Sequence, residues 1–68
     1  MTPLTATEVV FTVYHDPMSI TIMARPVGRS APDATGMYVV PPGDDPYSRE
    51  ARAAALADLN RKLRKGKP

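Results

Sequence analysis

Apolar positions in this chain follow two periods, and the switch between them separates a sheet-forming half from a helix-forming one. Residues 8–14 read Glu-Val-Val-Phe-Thr-Val-Tyr, rich in β-branched and aromatic types. Residues 18–24 read Met-Ser-Ile-Thr-Ile-Met-Ala and alternate apolar with polar. Both patterns predict strands. Between them, Asp16 and Pro17 suit the first two positions of a type I turn over residues 16–19. A primed two-residue turn is disfavoured, because Pro cannot adopt positive φ. A loop of residues 15–18 pairs Tyr14 with Ser19. It then sets Val13 opposite Ile20, Phe11 opposite Ile22 and Val9 opposite Ala24 on one face. The other face carries Thr12 with Thr21 and Val10 with Met23. A slip of one residue would break the apolar stripe.

Residues 25–36 are punctuated by Pro26, Gly28, Pro32 and Gly36 and predict an irregular loop. Residues 37–40, Met-Tyr-Val-Val, predict a short third strand stopped by Pro41 and Pro42. A helix follows, from about residue 46 to about residue 64, rich in Ala and Leu. Asp45 is the expected N-cap, with Pro46 in the first helical position. Tyr47, Ala51, Ala55, Leu56, Leu59 and Leu63 form the apolar stripe. Arg49, Arg52, Asn60 and Arg64 fall outside it. Asp58 is spaced to pair with Arg61 or Lys62. Gly66 is the expected stop.

The resulting expectation is one small α+β domain over residues 1–68. It has an extended arm (1–7, with Leu4 as a candidate anchor), a β-hairpin (8–24), a long loop (25–36), a short strand (37–40), a helix (46–64) and a basic tail (65–68). A three-stranded antiparallel sheet with the helix across one face buries both apolar faces. Phe11, Ile20 and Ile22 should then meet Leu56, Leu59 and Leu63.

Charge adds an asymmetry. Residues 1–60 carry seven acids against four Arg, a balance of −3, whereas residues 61–68 carry five cations and no acid. Arg61, Lys62, Arg64, Lys65 and Lys67 are candidate contacts for phosphates or for an acidic partner. The same charges also complement a helix C-terminus. No stacking or base-reading motif accompanies them.

Candidate chemistry is sparse. There is no Cys and one His. His15 and Asp16 are adjacent, but a metal site needs three or four ligands, and no second His or Cys exists to complete one. Ser19, Ser30 and Ser48 have no triad. The four Gly are scattered and build no phosphate-binding loop. The expectation is no enzyme, no cofactor and no small-molecule substrate.

A single helix covers one sheet face only. Val10, Tyr14, Met23 and either Tyr38 or Val40 are then left exposed, and Val10, Tyr14, Met23 and Tyr38 are the candidate protein interface, since exposed apolar patches mark interaction surfaces. So short a chain builds a small core, which favours a dimer or a bound subunit. No secretion signal or membrane span is visible, which predicts a cytoplasmic protein. Abundant Ala, Pro, Gly and Arg reflect GC-rich codons and point to a GC-rich bacterium or its phage. The functional expectation is a small accessory protein that binds another protein, as an inhibitor of a host system or a minor virion or assembly component. The alternative is a nucleic-acid-binding protein using the basic helix end.

Overall fold

In the computed structural model of the protein, residues 4–28 and 34–65 are described. The elements are β1 (Val9–His15), β2 (Ile20–Pro26), β3 (Gly36–Val40) and α1 (Arg49–Lys65), with a short 3-10 turn at Ala6–Glu8 before β1. The strands form one antiparallel sheet in the order β1-β2-β3. α1 packs on one face of it, giving the α+β architecture that the sequence predicts. The start of the N-terminal arm, Arg29, Ser30, Pro32, Gly66 and Lys67 lie outside the described residues.

The hairpin corrects the expected register. Val13 pairs with Ile22, Phe11 with Ala24 and Val9 with Pro26, a displacement of two residues. The turn is the cause. Asp16 N–H donates to Ser19 C=O at 2.8 Å, so the end residues of the turn form a rung themselves. Strand pairing then begins at once with His15 and Ile20. A two-residue displacement keeps every side chain on its face. Val9, Phe11 and Val13 still share the helix face with Ile22 and Ala24.

β3 settles which way its own side chains point. Gly36, Tyr38 and Val40 pair with Ala24, Ile22 and Ile20, and so face α1. Met37 and Val39 pair with Met23 and Thr21 on the opposite face. Gly36 is required here. A Cβ at this position would overlap the backbone oxygen of Ala55 and lie 2.6 Å from Leu59 Cβ. The helix therefore sits close against β3.

The approach to α1 is two consecutive turns. Asp44 N–H donates to Pro41 C=O at 3.1 Å, across Pro42 and a Gly43 with φ of 91°. That is the residue pair a type II turn needs. Asp45 then accepts from Ser48 N–H with its carbonyl and from Tyr47 N–H with its carboxylate. Asp45 thus caps the turn before the helix. The N-cap of α1 is Ser48, whose Oγ accepts from Ala51 N–H at 3.2 Å. With the start moved to Arg49, Tyr47 falls outside the helical stripe and is exposed.

The buried core is Val9, Ile22, Ala24, Val40, Ala51, Ala55 and Leu59. Ile22 and Leu59 are its largest fully buried side chains. Phe11, Ile20, Leu56 and Leu63 pack around it but stay partly exposed. Asn60, expected away from the core, holds the N-terminal arm. Its Oδ1 accepts from Leu4 N–H at 2.9 Å and its Nδ2 donates to Leu4 C=O at 3.1 Å. Leu4 packs against the core, as its apolar character suggested.

Candidate interaction surface

The sheet face opposite α1 is built by strand alternation. β1 contributes Val10, Thr12 and Tyr14, β2 contributes Thr21, Met23 and Arg25, and β3 contributes Met37 and Val39. Val10, Tyr14, Met37 and Val39 are exposed there, Val39 to 61%. Tyr14, Thr21, Met23 and Met37 line a shallow hollow of about 230 Å³ with Asp16 at its rim. Val10, Tyr14 and Met23 thus lie together on the open face, as the pattern predicts. Tyr38 does not. It faces the helix and is partly buried, and Val40 likewise faces the helix and is buried in the core. Met37 and Val39 take its place on the open face.

The helix side also has an incomplete edge. α1 lies over β2 and β3, so Phe11 on β1 is only partly covered. Ala6, Phe11, Ala53 and Leu56 line a groove of about 380 Å³ there, with Arg49 and Arg52 also lining it.

The two sheet edges differ. Met37 N–H points away from β2 and donates to Asp58 Oδ2 at 2.9 Å. Thr35 C=O accepts from Lys62 Nζ at 3.0 Å. Asp58 in turn pairs with Arg61 and with Lys62. The Met37 amide, the Arg61 guanidinium and the Lys62 ammonium together hold the Asp58 carboxyl well below the usual carboxylate range. On the β1 side, Glu8 C=O accepts from Val27 N–H and Asp16 N–H donates to Ser19 C=O. Even-numbered residues therefore bond β2, and the peptide groups of Val9, Phe11, Val13 and His15 point outward along the free edge.

The basic residues divide in the same way. Arg61 and Lys62 are engaged with Asp58, and Lys62 also with β3. Arg64 is exposed near the helix end. Lys65 ends α1. His15 and Asp16 are both exposed, and no cluster of three metal-ligating side chains occurs among the described residues. No helix among them is long and apolar enough to cross a membrane.

Compared with protein families, with curated proteins and with solved structures, the chain matches none.

Proposed function

We propose that this protein works by binding another protein through the sheet face opposite α1, without catalysis. The supporting observation is the open apolar surface of Val10, Tyr14, Met23, Met37 and Val39 on a sheet whose other face carries the helix. A flat, partly apolar surface with threonines among the apolar side chains suits a protein partner. The reading fits an accessory protein of a GC-rich bacterium or its phage, acting in the host cytoplasm or in the virion as an inhibitor or minor assembly component.

A nucleic-acid role is the weaker reading. Two of the cations it would use, Arg61 and Lys62, are already paired with Asp58. Binding phosphates through them would compete with those contacts.

The test is capture of partners from host extract by the tagged protein and by a Met23→Lys, Val39→Lys variant, with and without nuclease. The expected result is a stoichiometric protein captured by the parent in both conditions and lost by the folded variant. Capture that disappears with nuclease and ignores the variant would replace this reading with the nucleic-acid one.

A further inference from the structure

We infer that the free edge of β1 is a self-association site, at which a second copy of this chain pairs its own β1 antiparallel to the first. This inference rests on the edge, whereas the proposed function rests on the open face.

β1 exposes the outward peptide groups of Val9, Phe11, Val13 and His15, and no hydrogen bond within the described residues uses them. Edge strands in monomers are commonly protected by Pro, by a charged side chain, by a bulge or by a covering element. Val9–His15 contains no Pro, Lys, Arg or acid and pairs with β2 without a bulge. The other edge is blocked at its start, where Asp58 and Lys62 occupy the Met37 N–H and the Thr35 C=O, and Pro41 follows the strand directly.

The strand is also complementary to itself. In a two-fold antiparallel pairing centred on Thr12, all of β1 overlaps. Phe11 then meets the partner's Val13 on the helix face, where Phe11 is only partly buried in one copy. Val10 meets the partner's Tyr14 on the open face, and Thr12 meets the partner's Thr12. Aromatic with β-branched and Thr with Thr are favourable cross-strand pairs. The outward groups are the odd-numbered ones, so Phe11 with Val13 and Val9 with His15 become the hydrogen-bonded pairs, each exchanging two bonds. Glu8 and the partner's Asp16 would flank the strand ends. The Glu8 carboxylate is turned back onto Thr5, whose N–H it accepts at 2.9 Å.

Size sets the expected strength. A strand of this length is about 23 Å long, and a sheet with its side chains is about 10 Å deep. Pairing the edges buries roughly 500 Å² over two copies, less than a standard specific interface, so the contact is weak and rests on its backbone hydrogen bonds. Association should therefore appear at tens of micromolar or above.

A single introduced Cys provides the test, because the native chain has none. At a non-hydrogen-bonded pair the two Cα atoms lie about 4.5 Å apart, within disulfide range. Thr12→Cys at about 100 µM under mild oxidation should give a covalent dimer in high yield, and Val39→Cys, on the protected edge, should give at least tenfold less. Sedimentation of the untagged parent at 10–500 µM should show reversible dimer. Thr12→Lys, which sets two like charges opposite one another, should be folded and monomeric, whereas the Met23→Lys, Val39→Lys variant should still dimerise. Two results would overturn the inference: a parent that stays monomeric at 500 µM, or equal crosslinking of the Thr12→Cys and Val39→Cys proteins. Because the open-face variant keeps the edge intact, loss of partner capture and loss of dimer are read separately.

Discussion

Gly36 lies beneath Leu59 so closely that an added Cβ would stand 2.6 Å from the Leu59 Cβ and meet the backbone oxygen of Ala55 as well. Backbone cannot move aside as a flexible side-chain tip can. Gly36→Ala should push α1 away from β3 and destabilise the protein by about 1–3 kcal/mol, the usual cost of overpacking a core. Urea unfolding followed by far-UV circular dichroism checks this. A variant within 0.5 kcal/mol of the parent, the level of a surface change, would mean that the helix is not seated on Gly36.

Leu59 supplies the other side of the same contact and is fully buried. Leu59→Ala should cost about 2–5 kcal/mol, a large share of a small domain's stability. The unfolding midpoint in urea should fall with little change in slope.

Asp58 makes stability depend on pH. Its folded carboxyl is held below the usual range, first by the Met37 amide and then by Arg61 and Lys62. An acid whose pKa is lowered on folding contributes its full stabilisation above the unfolded value, about 3.9, and loses it as pH falls through the folded value. Melting temperature should therefore drop below about pH 4. Asp58→Asn should flatten that part of the profile and cost roughly 0.5–1.5 kcal/mol at pH 7, a modest figure because the ion pairs are partly exposed.

Ser48, rather than Asp45, should be the more costly residue to remove at the helix start. Ser48→Ala should lose about 1 kcal/mol, the usual value of an N-cap. Asp45→Ala loses only a turn contact at an exposed site and should lose less. Thermal melts of the two variants side by side decide the order.

Asn60→Ala should free the N-terminal arm while leaving the sheet in place. The Leu4 amide should exchange at least tenfold faster, with the β1 and β2 rung amides largely unchanged. Hydrogen exchange by NMR reads both in one experiment.

How far the pattern of residues reaches is clearest at the hairpin. Alternation reports only which face a side chain occupies, so it separates Phe11 from Thr12 but cannot separate a pairing with Ile22 from one with Ala24. Turn closure decides that, through a backbone bond between Asp16 and Ser19 that no side-chain pattern encodes. β3 is a harder case. Its apolar run has no alternation, so the pattern alone does not tell which of its side chains face the helix. The signal was Gly36, which reads as loop punctuation until the helix above it is known. A glycine that must face a helix fixes Tyr38 and Val40 to the same side and sends Met37 and Val39 to the other. At the helix start, Pro46 fits the first helical position and so points to Asp45 as the cap, but the chain makes one more turn before the helix and the cap is Ser48. Asn60 looked like a solvated helix residue because its partner is a backbone segment 56 residues away.

The bonds from Asp58 to Met37 and from Lys62 to Thr35 have a consequence for the size of any assembly. A sheet with two receptive edges adds copies head to tail, and nothing stops the resulting fibre from growing. Here the Met37 N–H and the Thr35 C=O at the start of β3 are already occupied, whereas the outward groups of β1 have no partner among the described residues. Joining two molecules through β1, as proposed, would use up both β1 edges at once. If copies join through β1 as proposed, one carboxylate and one ammonium on the helix would hinder further growth at the start of β3. Removing them would leave the start of β3 as open to pairing as β1.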